Sequence, residues 1–409
     1  MTTGNGRAAR RRGMWYVRRI RDFMVGMRDV AKKAGASLST VSLVVNGNGY
    51  VSREMRGRIE RAMADLDYIP NELARNLYRG RTGIIGMIVP TIRHPFFATL
   101  TAAVQRALSD KGLRTMLCST ADAGHGEAEY VDMLRRHMMD GIIMAAHTTH
   151  DKDYWTSIGR PVVAFDRYLG PGIPVVRADH RQEGELVADL LLRTGARHVA
   201  AIGGPREQFH DWSGRSSSGH AVDPVGGTFG TTFPTVDRYL QLERRLGAEG
   251  VRCAYLESGD VDDFAGYSHA ARAVFERYPD ADAIVAPDVG AAYGVQEALR
   301  RGVRIPQDLQ VVAYDGTYVT QTAGLRMTAV RQDFDAMAAM MGRRMLEAID
   351  ADAARGAPLS APSPTTASQS ASDPVAAAGV GAAGAAPDGV DGSHEAVIPV
   401  AMVPGMTTR

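Results

Sequence analysis

Residues 28–66 read RDVAKKAGASLSTVSLVVNGNGYVSREMRGRIERAMADL, and this stretch decides the fold of the N-terminal part of the chain. Val30 and Ala34 lie four residues apart, as on one face of a helix, and Gly35 ends that pattern. Ser37 is placed to cap a second helix. The spacing therefore predicts two short helices joined by a tight turn, an arrangement typical of a DNA-reading helix-turn-helix.

The second predicted helix, residues 38–45, has one face suited to burial and one suited to contact. Its inward set is Val41, Val44 and Val45, and its outward set is Leu38, Ser39 and Ser42. The N-terminal end of such a helix can enter a major groove while its hydroxyls bind phosphates. A third helix is predicted after Ser52, with a core face formed by Met55, Ile59, Met63 and Leu66.

The composition is that of a globular protein. The chain has 409 residues, of which 45% are hydrophobic and 23% charged, so it is long enough for two or three packed units. Cys118 and Cys253 form neither a CxxC pair nor a zinc spacing, and we expect no disulfide framework, metal site or cofactor. No apolar run reaches eighteen residues, and residues 1–26 carry seven arginines without an apolar segment. Neither a membrane span nor a secretory signal is expected.

Charge is distributed unevenly along the chain. Residues 1–82 hold 17 of the 47 basic residues and 7 of the 46 acidic ones, a balance of +10, so the remainder carries −9. A basic module on an acidic body indicates a polyanion-binding head, and nucleic acid is the leading candidate for its partner.

Beyond Gly83 the pattern changes to short apolar strands that alternate with amphipathic helices. Seven strands are predicted near 84–89, 115–118, 141–145, 162–165, 199–202, 283–286 and 309–313, and an eighth returns at 397–403. Such alternation predicts parallel sheets with helices on both faces. About 270 residues exceed one ordinary core, so two α/β lobes are the natural division.

The sequence predicts six segments. They are a disordered basic arm over 1–26, with Met24 and Met27 as alternative starts, a helix-turn-helix domain over 27–70, a hinge helix and linker over 71–82, a two-lobed body over 83–350 and 396–409, a flexible insertion over 206–234, and a low-complexity insertion over 351–395.

At this point the chain resembles the lactose-repressor (LacI/GalR) family of bacterial transcription regulators. Residues 28–82 follow that family's head almost position by position and without a gap. The likeness continues through His94-Pro95-Phe96-Phe97, Phe165-Asp166-Arg167, Ala313-Tyr314-Asp315 and Met327–Gln332. It implies a helix-turn-helix head and hinge helix joined to a two-lobed, periplasmic-binding-protein-like body, with crossovers near Ala178, Arg331 and Val397.

The resemblance also implies which residues contact DNA. Leu38, Ser39 and Leu43 occupy base-reading positions, and Leu43 stands where many members carry an arginine, so the preferred operator is expected to differ. Further contacts to backbone or neighbouring bases are implied for Thr40, Ser42, Asn46 and Tyr50, with local capping as the alternative for the hydroxyls. Asn71, Ala74, Arg75 and Leu77 match the hinge helix, with Leu77 as the minor-groove wedge.

Matching positions in the body imply a ligand site between the lobes. Its residues are Phe96, Phe97, Asp166, Arg238, Asp288 and Asp315, a set of aromatic, carboxylate and guanidinium groups that suits a sugar. Departures from the family pattern at Pro287, Val261, Leu242 and Gly316 leave a nucleoside or a phosphorylated metabolite as alternatives.

Two other classes of protein fit the sequence less well than a regulator does. An enzyme is disfavoured because the chain has no GxGxxG after a first strand, no GxxxxGK[ST], no HExxH and no GxSxG. A sugar-binding transport-type protein would share the body, but not the head, and would pass through a heparin column. We therefore expect a cytoplasmic, nucleoid-associated repressor that acts as a homodimer. Its expected partners are operator DNA and a small effector, which we expect to be a sugar.

Overall fold

The computed structural model describes residues 25–47, 49–69, 81–122, 126–146, 150, 153–210, 231–356 and 394–409. The chain divides into two compact units, residues 1–82 and residues 83–409. The hinge positions Asn71, Ala74, Arg75 and Leu77 lie outside the described residues, as do residues 1–24 of the expected basic arm.

The first unit contains three short helices, α1 (Met27–Ala34), α2 (Leu38–Asn46) and α3 (Arg53–Asp65). Gly35 ends α1 in the left-handed conformation, which glycine adopts without a steric penalty. The Ser37 hydroxyl accepts a hydrogen bond from the Thr40 N–H at 3.1 Å and so caps α2. The predicted helix, turn and helix are thus all present.

One residue from each helix forms the centre of this unit. Val30, Val41 and Ile59 are fully buried, and the half-buried side chains of Met55 and Met63 pack around them. This small core holds α2 with its N-terminal end outward.

The second unit begins with a lobe built on a six-stranded parallel sheet. Its elements are β1 (Ile84–Val89), α4 (Pro95–Ser109), β2 (Arg114–Ser119), α5 (Glu127–Arg135), β3 (Gly141–Met144), a 3-10 turn (Thr156–Ile158), β4 (Val162–Phe165), β5 (Val175–Ala178), α11 (Phe334–Gly356) and β11 (Glu395–Ile398). The strand order is β11-β5-β4-β3-β1-β2. Alternate strand residues pack on α4 and α11 or on α5, which explains the unbroken apolar runs.

The second lobe repeats this plan. Its elements are α6 (His180–Arg193), β6 (His198–Gly203), two 3-10 turns (Arg206–His210 and Pro234–Val236), α7 (Asp237–Ala248), β7 (Arg252–Glu257), α8 (Phe264–Arg277), β8 (Ala283–Pro287), α9 (Asp288–Arg300), β9 (Gln310–Tyr314), α10 (Val319–Thr322), β10 (Thr328–Gln332) and β12 (Val400–Val403). The order is β12-β10-β9-β8-β6-β7, with only β12 antiparallel to its neighbour.

The chain passes between the two sheets three times. It crosses at Asp179 between β5 and α6, at Asp333 between β10 and α11, and at Pro399 between β11 and β12. The crossovers expected near Ala178, Arg331 and Val397 are therefore all observed within two residues.

Several predicted boundaries are corrected. The single strand expected at 397–403 is two strands in different sheets, because the chain crosses at Pro399. Within the segment 206–234, expected to be an insertion, Arg206–His210 is helical and Phe233 is buried. Within the segment 351–395, the residues up to Gly356 belong to α11. Within the described residues, no helix is long and apolar enough to span a bilayer.

Candidate nucleic-acid interface and ligand cavity

The N-terminal end of α2 presents side chains to solvent. Leu38 is 42% exposed and Ser39 is also exposed. An exposed leucine beside hydroxyls provides both an apolar and a hydrogen-bonding contact at the start of a helix.

The hydroxyls at this end are joined to the capping serine. Ser37 Oγ lies 2.7 Å from Ser39 Oγ and 2.7 Å from Thr40 Oγ1. The local capping that was the alternative for Thr40 is therefore present. A hydroxyl can accept one hydrogen bond while it donates another, so Thr40 Oγ1 can accept from Ser37 and still donate to a phosphate oxygen.

The other predicted DNA contacts lie along the same unit. Asn46 donates to Ser42 Oγ at 3.1 Å, and both residues are half-buried. Leu43 is half-buried with its methyl groups close to Gly49, whereas Tyr50 is 93% exposed. Leu43 thus presents only part of its side chain outward, and Tyr50 presents all of it.

A cavity of about 110 Å³ lies between the two lobes of the second unit. It is bordered by the carboxyl ends of parallel strands from both sheets, the usual location of ligand sites in open α/β folds. Phe96 and Phe97 at the start of α4 line one side, and Asp166 follows β4. Arg238 in α7 and Asp315 after β9 line the other lobe's side.

Five buried charged side chains form a connected polar network at this cavity. Arg238 donates to Asp315 Oδ1 at 3.0 Å and lies 3.5 Å from Glu183 Oε2. The His180 ring joins the other end, with Nδ1 2.9 Å from Glu183 Oε2 and Nε2 2.8 Å from Asp166 Oδ1. The network runs from the first lobe at Asp166 to the second lobe at Asp315.

Burial and the charges within the network shift the pKa values of its side chains. Although burial alone would lower it, the carboxylates of Asp166 and Glu183 raise the pKa of His180 to about 10. Burial opposes ionisation of Glu183, but His180 and Arg238 hold the pKa of that carboxyl below its usual value. Burial raises the pKa of Asp315 against the favourable charge of Arg238.

Asp166 and Asp315 share an uncommon backbone conformation. Their φ angles are +47° and +83°, in the left-handed region that non-glycine residues seldom occupy. Each is the first residue after its strand, so the turn directs its carboxylate towards the cavity. Such conformations cost about 1–3 kcal/mol and persist where the surroundings hold them.

The rest of the cavity wall is largely aromatic. Phe96 meets Phe97 edge-on at 5.2 Å between ring centres, and the Arg167 guanidinium lies 3.6 Å from the centre of the Phe233 ring. Burial and the charge of Arg238 lower the pKa of His94 to about 4, so its ring is neutral at pH 7. Aromatic faces and a neutral imidazole offer stacking surfaces beside the charged groups.

Some buried polar atoms at the cavity lack a partner. His94 Nε2 and Gln332 Oε1 have no hydrogen-bond partner among the residues that the structure describes, and both residues line the cavity. Two atoms of the network, Arg238 Nε and Glu183 Oε1, also have no hydrogen-bond partner among the described residues. Buried polar atoms are ordinarily paired, so a polar ligand or water is the natural partner for these groups.

Five of the six predicted ligand residues line the cavity: Phe96, Phe97, Asp166, Arg238 and Asp315. Asp288 does not, and this prediction is corrected. Its buried carboxylate accepts hydrogen bonds from the N–H groups of Gly316 at 3.2 Å and Thr317 at 2.6 Å. It therefore shapes the turn that follows Asp315, and its own pKa is raised by burial and by Asp315.

The departures from the family pattern fall into two groups. Pro287 and Val261 line the cavity and can change its ligand preference. Leu242 is fully buried in the core and is not among the lining residues. Gly316 has φ +69°, and a Cβ there would lie 2.7 Å from the Arg331 Cα, so an acidic side chain would not fit this turn.

Several lining residues were missed by the sequence analysis. They are His94, Arg167, Gln208, Phe209, Phe233, Tyr239, Tyr255, Tyr267 and Gln332. Arg167 and Tyr239 directly follow predicted residues, a signal that was available. Phe209 and Phe233 lie at the two ends of the segment 211–230, which is outside the described residues, and nothing in the local pattern places them in a cavity.

Three family models match the chain. One described as bacterial regulatory proteins of the lacI family matches residues 26–71. A second, described as periplasmic binding proteins and sugar binding domain of the LacI family, matches residues 82–217. A third, described as a periplasmic binding protein-like domain, matches residues 188–370.

Curated relatives cover nearly the same span. A protein named ribose operon repressor from Halalkalibacterium halodurans is 32% identical, over 80% of this chain and 91% of its own. A sucrose operon repressor from Pediococcus pentosaceus is 29% identical, over 79% of this chain and 92% of its own.

Solved structures share the fold. The lac repressor dimer bound to operator and the anti-inducer ONPF aligns with a TM-score of 0.67 at 18% identity, over 94% of this chain and 99% of that one. The complex of transcriptional regulator CelR with cellobiose aligns with a TM-score of 0.55 at 22% identity, over the same shares of the two chains.

Proposed function

The chain belongs to the lacI family of bacterial regulatory proteins, and we propose that it represses transcription by binding operator DNA as a dimer, under the control of a small sugar. One observation carries this proposal. A three-helix unit with an exposed helix end is joined in the same chain to a two-lobed unit that encloses a cavity. The protein binds DNA and its ligand in the cytoplasm, at the nucleoid, and catalyses no reaction.

The proposed DNA contacts begin at the exposed end of α2. Leu38, Ser39 and the outer part of Leu43 meet base edges, where leucine suits a thymine methyl group and not the guanine edge that an arginine would bind. The DNA backbone is contacted by Tyr50 and by three polar side chains of α2, the hydroxyls of Thr40 and Ser42 and the amide of Asn46. The balance of +10 over residues 1–82 supports the phosphate contacts.

The hinge segment supplies the second DNA contact. Asn71, Ala74, Arg75 and Leu77 lie outside the described residues, so this step rests on the match of residues 26–71 to the lacI model and on the resemblance of the residues that follow. A helix of under ten residues is marginal alone and can form when a partner is present. Leu77 then enters the minor groove, where unstacking is offset by contact with bent DNA.

The proposed ligand is an uncharged sugar. Carboxylates, a guanidinium and unpartnered polar atoms converge with aromatic faces at the cavity, and sugar hydroxyls can donate to and accept from this set. A phosphate group would bring its negative charge close to Asp166 and Asp315, and Arg238 is already paired with Asp315. Relatives named for ribose and sucrose operons agree with this class.

DNA binding by the full chain provides the direct test. Fluorescence anisotropy should compare a fragment from the region upstream of its own gene with a scrambled fragment of equal length, at several salt concentrations. We expect tighter binding to the upstream fragment by about three orders of magnitude, with affinity for both fragments falling as salt rises. Equal, weak binding to both fragments would contradict sequence-specific recognition.

A further inference from the structure

His180 is placed where the two lobes meet. It is the first residue of α6, directly after the crossover at Asp179, and its side chain is completely buried. The carboxylate on its Nε2 side belongs to Asp166 at the end of β4 in the first lobe, and the one on its Nδ1 side belongs to Glu183 in the second. A single ring thus contacts an acid from each lobe.

The geometry determines what the ring must do. Both ring nitrogens are within 2.9 Å of a carboxylate oxygen, and an ionised carboxylate can only accept hydrogen bonds. Both nitrogens must therefore donate, which an imidazole does only when it carries two protons. A neutral ring would leave one buried carboxylate facing a lone pair, which is the costly arrangement for a buried charge.

Asp166 needs such a partner. It lines the cavity, its backbone is in the left-handed region, and its carboxylate is 2.8 Å from His180 Nε2. Without the ring, this carboxylate is free to rotate towards Arg167 or solvent, and the side of the cavity formed by the first lobe loses its fixed acceptor.

We propose that His180 is a positioning residue of the effector site: its doubly protonated ring ties Asp166 of the first lobe to Glu183 of the second and thereby holds the acceptor that the ligand meets. The charged groups around the ring are Asp166 from β4, Glu183 from α6, Arg238 from α7 and Asp315 after β9. The proposal deepens the proposed function, because it concerns the same ligand cavity.

The protonation state can be measured without any ligand. Nitrogen NMR of full-length protein labelled on its histidine rings should give two protonated nitrogens for His180 at pH 8, assigned by their absence in His180→Gln. A His180 ring with one protonated nitrogen at pH 8 would overturn the proposal. If His180→Gln does not fold, correlation of the rings with their backbones in the wild type provides the assignment.

Stability against pH gives a second readout with a definite sign. The folded pKa of His180, about 10, lies above its ordinary value of 6.5, so its stabilisation is complete below pH 6.5 and is lost as pH rises towards 10. Urea unfolding should show the wild type losing stability between pH 7 and pH 9.5, relative to His180→Gln. Equal slopes for the two proteins would contradict the proposal.

The positioning role is tested by structure and affinity. A crystal structure of His180→Gln should show the Asp166 carboxylate displaced, and calorimetry with D-ribose, sucrose and cellobiose should show at least about a tenfold loss for whichever sugar binds the wild type. An unmoved Asp166 with unchanged affinity would overturn the role. If no sugar binds the wild type, the sugar proposal fails, whereas the NMR and the crystal structure still decide the part played by His180.

Discussion

The proposed base reading depends most directly on Leu38, an exposed apolar side chain at the start of the candidate recognition helix. We expect Leu38→Ala to weaken binding to the specific fragment roughly tenfold, the size of one lost base contact, and to leave binding to scrambled DNA unchanged. Anisotropy titrations of both fragments measure this difference. Leu299→Ala, on an exposed leucine of the second unit, is the control and should match the wild type.

Arg238 is the buried cation of the polar network. Arg238→Met removes the cation that pairs with Asp315 and leaves Glu183 with His180 alone, and we expect a loss of about 3–5 kcal/mol in the free energy of unfolding. Urea denaturation checks this value. Arg245→Met in the same helix breaks an exposed ion pair with Asp189 and should change stability little. A similar loss in the free energy of unfolding of both variants would show that burial of the ion pair does not determine how much its removal destabilises the protein.

The candidate site could be predicted in part at this scale. Phe96, Phe97, Asp166, Arg238 and Asp315 were predicted from positions that match the family, and all five line the cavity. Asp288 was misplaced, because its role as an acceptor for Gly316 and Thr317 depends on a turn that no local pattern specifies. His180 was missed because its two partners are brought together only by the crossover between the lobes.

Among the elements, the hinge segment is expected to supply the second DNA contact. We expect Leu77→Ala to lose affinity for the specific fragment far more than for scrambled DNA, because only a bent, bound site accepts a wedge between its base steps. Anisotropy titrations of the specific and the scrambled fragment measure the two losses of affinity. Equal losses on the two DNAs would argue that Leu77 packs elsewhere.

Element prediction succeeded where hydrophobic runs are uninterrupted. β1, β4 and β8 were predicted because both faces of a parallel sheet are buried, so their sequences are almost wholly apolar. β7 was missed because it is an edge strand with polar ends, Arg252 and Glu257. The division of residues 395–403 into two strands was missed because the break at Pro399 depends on a contact with each sheet.

At the scale of the whole molecule, we expect two chains to act together. One head reads a half-site, and the hinge helices are expected to act as a pair. Sedimentation equilibrium at micromolar concentration should give twice the chain mass of 44.0 kDa. A mass of four chains, or of one, would contradict the dimer.

We expect ligand and DNA binding to be coupled through the cavity between the lobes. Any such coupling is reciprocal, because it reflects different affinities of the two ligands for the same two conformations. The cavity is bordered by residues from both lobes, so a ligand there is able to favour one arrangement of the lobes over another.

The most direct measurement is the affinity of the full-length protein for its upstream DNA with and without a saturating sugar from the panel of ribose, sucrose and cellobiose. We expect one sugar to change this affinity by about 5-fold to 150-fold and to leave the affinity for scrambled DNA unchanged. A sugar that binds the protein and leaves its affinity for the upstream DNA unaltered would contradict the coupling.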